Sequence, residues 1–101
     1  MTLVTITHFT DGITYKRRPA LVLKDFEDDD LLVCRITSKM YDSMYDIYLD
    51  DWLKFGLKLP SVVRVHKMAT LEKDMIDTIM GQIDETTLSK VKLLYNLLIE
   101  S

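Results

Sequence analysis

With 101 residues, 48% of them apolar and 29% charged, the chain has the length and make-up of one globular domain spanning residues 1–101, and three glycines and two prolines exclude a low-complexity or disordered polymer. Thirteen Lys and Arg against sixteen Asp and Glu leave a formal charge of -3, which excludes a surface tracking duplex DNA or an anionic membrane over its whole extent but permits a local basic patch. One cysteine, Cys34, closes no internal disulfide, and His8 and His66 are too few for Cys/His zinc spacing, so a reducing cytoplasmic setting with no metal and no cofactor is expected. No apolar run reaches the roughly 20 residues that span a bilayer, and the N-terminus lacks the basic segment and apolar core of a signal peptide; no membrane partner is expected.

The chain opens on Thr2-Leu3-Val4-Thr5-Ile6-Thr7, whose β-branched residues and alternation predict a strand. Thr10-Asp11-Gly12 is a turn signal, and it leads into a basic loop, Tyr15-Lys16-Arg17-Arg18-Pro19. Proline lacks a ladder donor and holds the residue before it extended, so the second strand is expected to begin at Ala20 and run through Leu23. Five acids, Asp25, Glu27, Asp28, Asp29 and Asp30, predict an exposed connection. Leu31 to Thr37 reads as a third, central strand ending in Thr37-Ser38. After a loop, Asp46 to Asp50 predicts a short strand, and Asp50 to Gly56 a turn that lays Trp52 or Phe55 over one end of the fold.

Ser61 to His66 is the clearest later strand, and strict alternation sets Val62, Arg64 and His66 on one face. Residues 68–80 read as a strand end, one helical turn and a last short strand, closed by Gly81. The period then changes. Asp84 is placed to cap a helix over 85–100, with Leu88, Val91, Tyr95 and Leu98 as its apolar stripe; Leu93, Leu97 and Ile99 widen that surface enough to meet a second subunit. No interior helix is long enough for parallel crossovers, so the sheet must be mostly antiparallel. A core this small favours a strongly curled barrel. The predicted class is mainly β, a small curled antiparallel barrel with a C-terminal helix.

Chemistry-bearing residues fall in a few places, and each also has an ordinary structural use. Arg17-Arg18 stands before Pro19, whose stiff backbone favours a guanidinium gripping phosphate through its planar fork. Thr37 and Ser38 are turn-type residues at a strand end whose hydroxyls can instead meet a phosphate or a base edge. Arg64 and His66 carry more weight, because a strand places them side by side: imidazole exchanges a proton near neutrality and guanidinium stabilises charge building on a phosphate. Those groups suit metal-free cleavage of RNA, whose 2′-hydroxyl is an internal nucleophile that DNA lacks. His8 is a second proton-transfer candidate. Tyr15, Tyr41 and Tyr45 are candidates for stacking on unpaired bases. Cys34 reads as an inert core residue.

Lys16-Arg17-Arg18-Pro19-Ala20-Leu21-Val22-Leu23, Cys34-Arg35-Ile36-Thr37-Ser38, Ser61-Val62-Val63-Arg64-Val65 with Thr70 following, and the entry from Gly81 to Leu88 into the last helix together resemble the PemK/MazF-like toxins of bacterial toxin–antitoxin systems. The resemblance covers nearly the whole chain. It implies an SH3-like barrel that forms a homodimer, cleaves single-stranded RNA at short sequence motifs without metal, leaves a 2′,3′-cyclic phosphate and a 5′-hydroxyl, and is inhibited by a cognate antitoxin. Residue by residue it points to Arg18, Arg64 and the position of His66 as catalytic and to Thr37 as a phosphate or ribose contact; the chemistry of the residues themselves adds Ser38, Arg17, His8 and Tyr15 as expected substrate contacts. His66 stands where the family pattern places an aspartate two residues after the strand arginine, and Thr2 starts the first strand where the family usually has Gly-Asp. A second reading stays open, that of an inactive barrel of the same fold acting as a protein-binding or regulatory module.

Overall fold

The computed structural model describes residues 1–9 and 15–100, and the side chains of these except 7–9, 15 and 16. Six strands, β1 (Thr2–Phe9), β2 (Tyr15–Asp25), β3 (Asp30–Thr37), β4 (Asp46–Tyr48), β5 (Val62–Glu72) and β6 (Ile76–Gln82), precede one helix, α1 (Glu85–Glu100). They form a single sheet in the order β4-β5-β3-β2-β1-β6, every neighbouring pair antiparallel. A 3₁₀ turn, Lys73–Met75, joins β5 to β6. The mainly β class, the antiparallel pairing and the terminal helix are as the sequence predicts. The sheet is nevertheless open: β4 and β6 are its edges, with no pairing between them among the described residues. Register shifts in the β1–β6, β2–β3 and β3–β5 ladders are the bulges that bend such a sheet.

One element differs from expectation. Tyr15 to Pro19, read as a loop, is the first part of β2 and pairs with Thr5 to Phe9 of β1. Pro19 is tolerated there because β3 pairs with β2 only from Ala20 onward, so the residue without an N–H lies where the strand carries one ladder instead of two.

Alternation builds the core. Leu3, Leu21 and Cys34 face one another across β1, β2 and β3, and Ile36, Val63 and Ile47 across β3, β5 and β4; all six are buried, and Val91 of α1 closes over them. Burial pushes the Cys34 thiol up to about 12, which removes its thiolate and its reactivity. Phe55 is buried in the same core with Trp52 packed against it, as the turn at 50–56 requires. That turn ends on Gly56, whose φ of 85° is open to glycine at no steric cost. A smaller cluster, Val4, Ala20, Leu31 and Val33, is buried separately, with Ile6, Val22, Leu71 and Ile76 packed on it. It belongs to the opposite face of the sheet, since each of its members is out of phase with the residues of the main core.

The helix starts where its cap dictates. The Asp84 carboxylate accepts the Thr87 N–H at 2.8 Å and its carbonyl accepts the Leu88 N–H at 2.9 Å, satisfying donors that have no partner within the first turn. Hydrogen bonds from the Thr87 hydroxyl and backbone hold the Asp84 carboxyl below its ordinary range. Asp84→Ala should therefore lower the melting temperature by a few degrees near neutrality. A depressed carboxylate stabilises above its unfolded pKa and ceases to as pH falls through its folded one, so the difference from wild type should close in acid. Paired thermal melts followed by circular dichroism check this; an equal difference at both pH values would contradict it. Leu93 and Ile99 of α1 are more than half exposed, and Leu97 is also exposed.

Candidate active site

Because Leu21, Cys34 and Val63 point toward α1, their neighbours in each strand point to the other side of the sheet. On that side Ala20, Arg35, Arg64 and Asp46 stand directly opposite one another across β2, β3, β5 and β4. Arg64 is thus flanked by Arg35 on one strand and Asp46 on the other. Beyond it β5 leaves its regular pairing with β3. The β3–β5 register jumps between Arg35↔Arg64 and Cys34↔Met68, so Val65, His66 and Lys67 form a bulge, and the Val65 N–H turns to the Tyr45 carbonyl at 3.0 Å. Val65 stays in the main core with Val63, so His66, two residues on from Arg64, keeps to the same side of the strand as that arginine.

Arg64 is held on three sides. Its Nε donates to Asp46 Oδ1 at 2.8 Å, the Tyr41 ring centroid lies 3.5 Å from its Cζ, and its Nη2 is 3.4 Å from His66 Nε2. The side chains of Arg64 and Asp46 are 11% and 1% exposed. Burial would raise the Asp46 carboxyl, but hydrogen bonds from Arg64 and from the Ser43 hydroxyl and N–H outweigh it and leave the group below its ordinary value. Since guanidinium only donates, the contact with Nε2 is a hydrogen bond in the tautomer that carries its proton on Nδ1. That Nδ1 is buried and has no hydrogen-bond partner among the described residues. Tyr45 leans over the ring, centroids 5.4 Å apart and planes at 44°.

The remaining predicted residues lie beside this pair. Arg17, Arg18, Thr37 and Ser38 line a cavity of about 490 Å³, together with Arg35 and Lys58. Arg17 is tied there to Asp77 at 3.2 Å. Thr37 Oγ1 accepts the Lys39 N–H at 3.2 Å, a local turn contact. A second cavity, of about 560 Å³, has Arg18, Arg35 and Lys67 above an apolar floor that includes Ala20, Val33 and Leu71. The structure brings Arg64 and His66 into contact and gathers Arg17, Arg18, Thr37 and Ser38; Arg64 and His66 line neither cavity, and Arg35 is the residue between the two groups. The side chains of His8 and Tyr15 lie outside the described residues, although their backbones pair within the β1–β2 ladder.

Three residues of this face carried weaker signals in the sequence. Arg35 is a lone cation between the apolar Cys34 and Ile36, which alternation marks as the outward position of an otherwise buried strand. Tyr41 is a stacking candidate, yet its ring stacks on Arg64 and lies 5.3 Å from Lys39 Nζ. Asp46 reads only as the first residue of a short strand, and nothing local points it at a residue 18 positions later.

Solved structures share this architecture. Toxin MazF-mt6 of Mycobacterium tuberculosis is 18% identical with a TM-score of 0.77, covering 96% of this chain and 95% of its own. The MazE–MazF structure (Form-III) from Deinococcus radiodurans is 21% identical at 0.80, covering 98% and 92%. An endoribonuclease in complex with its cognate antitoxin from a mycobacterial species is 16% identical at 0.74, covering 98% and 91%. At such identities the likeness is one of fold. No curated protein sequence matches the chain. The sequence model of the PemK-like, MazF-like toxins matches residues 4–98. The chain is a member of that family, the PemK-like, MazF-like toxins of type II toxin–antitoxin systems.

Proposed function

We propose that this protein is an endoribonuclease of a toxin–antitoxin pair that cuts single-stranded RNA at a short sequence motif by internal transesterification, without metal. The observation that carries the reading is the contact between Arg64 Nη2 and His66 Nε2 on a guanidinium anchored by a buried carboxylate. In this reading His66 Nε2 exchanges its contact with Arg64 for the ribose 2′-hydroxyl and takes its proton. The 2′-oxygen attacks the adjacent phosphorus, Arg64 stabilises the negative charge that builds there, and the P–O5′ bond breaks. The 5′-oxygen takes up a proton from water and leaves as a hydroxyl, the proton held by His66 returns to solvent, and the other fragment ends in a 2′,3′-cyclic phosphate. Arg18, expected from the sequence to stabilise the reacting phosphate beside Arg64, lines the neighbouring cavity with Arg17, Arg35 and Lys58 while Arg64 and His66 do not, so in this reading its part is changed to taking a flanking phosphate by charge-assisted hydrogen bonds. Thr37 and Ser38 contact ribose or a base edge, and His8 and Tyr15 of the β1–β2 hairpin are further substrate contacts.

The proposed partners are RNA, a cognate antitoxin and a second copy of the chain, the last supported by Leu93, Leu97 and Ile99 exposed along α1. No helix among the described residues is long and apolar enough to cross a membrane.

The test is incubation of the purified protein with mixed single-stranded RNA in EDTA, followed by end-group analysis. Cleavage with 5′-hydroxyl ends is expected. It should fall by about 100-fold or more in His66→Ala and in Arg64→Lys, the second keeping the charge and losing the planar fork. RNA left intact by the folded wild type would favour the alternative, a non-catalytic module that binds protein.

A further inference from the structure

We infer that Asp46 is a positioning residue for the cleavage reaction: from the neighbouring strand it sets the direction in which Arg64 presents its free donors to the scissile phosphate. This rests on the proposed roles of Arg64 and His66. Asp46 opens β4 directly opposite Arg64. Its Oδ1 takes the Arg64 Nε–H at 2.8 Å, while its Oδ2 accepts both the Ser43 N–H at 3.0 Å and the Ser43 hydroxyl at 2.7 Å. Both oxygens are therefore committed, and the side chain is 1% exposed. A group so enclosed does not reach a ribose hydroxyl, which separates it from the base.

Its geometric consequence falls on Arg64. A guanidinium has five N–H donors in one plane. Asp46 occupies the Nε edge and Tyr41 covers one face, 3.5 Å from Cζ. The edge left over is the one bearing the two Nη groups, and it already meets His66. With one edge fixed by a carboxylate and one face fixed by a ring, the side chain loses its rotational freedom, and the Nη edge is set beside the imidazole before any substrate arrives. Two reacting groups placed in advance speed a step by removing the search for orientation, and a misplacement of about 1 Å costs on the order of 100-fold in rate. Ser43 belongs to the same device, since its hydroxyl and N–H hold the carboxylate that holds the arginine.

The experiment compares wild type, Asp46→Asn and Ser43→Ala by steady-state cleavage of one RNA substrate at a temperature where each variant is folded by circular dichroism. Asp46→Asn is expected to lower kcat by about 100-fold with KM changed less than about 3-fold, because ground-state binding is left to the other cations. Ser43→Ala keeps the carboxylate and loses one of its two anchors, so an intermediate fall in kcat is expected, again with KM nearly unchanged. A spectroscopic readout is independent of turnover. The Arg64 Nε–H resonance should exchange slowly in the wild type and in Ser43→Ala, and faster in Asp46→Asn, whose uncharged amide oxygen is a weaker acceptor than the carboxylate. Wild-type kcat in folded Asp46→Asn would overturn the positioning role while leaving the nuclease reading intact. A wild type that does not cut RNA, with a slowly exchanging Arg64 Nε–H, would overturn the nuclease reading and with it the assigned role of Asp46.

Discussion

Arg64→Ala is expected to destabilise the fold by about 3–5 kcal/mol, a large part of the roughly 5–15 kcal/mol that holds a domain folded. The Asp46 side chain is 1% exposed and has Arg64 as its counter-ion; removing the guanidinium strands a carboxylate away from water with only the Ser43 donors left to it. Asp46→Ala leaves the less enclosed partner, 11% exposed, so its cost should be smaller. The double variant should be less destabilised than the sum of the two, since it leaves no unpaired buried charge. The pH dependence has a definite sign. The Asp46 carboxyl lies below its ordinary value, so its stabilisation is present above the unfolded carboxylate pKa and is lost as pH falls through the lower, folded one. The gap between wild type and Arg64→Ala should thus be wide near neutrality and close in acid. Urea titrations of the four proteins at two pH values measure it. An Arg64→Ala protein as stable as wild type near neutrality would show that the ion pair does not hold β4 to β5.

Leu21→Ala is expected to cost about 2–5 kcal/mol. Leu21 is fully buried at the middle of β2, between Leu3 and Cys34 on the flanking strands. None of these neighbours is at an edge of the sheet, so the strands that line the space cannot move inward without breaking their ladders, and a cavity remains. The same change at Leu53, which is 73% exposed, should stay within about 0.5 kcal/mol. Equilibrium unfolding in urea separates the two. Equal midpoints for both variants would mean that the main core is not where the fold is held.

Much of this architecture follows from patterns that act over a few residues. The Asp84 cap starts the last helix, and the stripe through Leu88, Val91 and Tyr95 carries it on, where a 3.6-residue period predicts, because donor satisfaction and face burial are local requirements. The β-branched runs at Val4, Val33 and Val63 likewise mark strands. Pro19 misleads because its missing donor matters only where a second strand would claim it, and whether β3 reaches that far is not a property of residues 15–19. Alternation also places Arg64 and His66 on one side of β5, and they are neighbours there in the fold; the bulge changes only how the residues after them pair with β3.

Composition, hydrophobic period and one cap thus determine that this chain is an antiparallel sheet followed by a helix, and the blocks from Lys16 to Val65 point to its family. Tertiary structure alone decided that the carboxylate anchoring Arg64 comes from Asp46 on β4, that Arg35 stands between Arg64 and the cavity lined by Arg18, and that Tyr41 covers the guanidinium. The physical reason is register. Which residues face each other across a ladder is set by how two distant strands bury their apolar sides together and by where a bulge lets them slip, and neither is written in the residues immediately around Asp46 or Arg64.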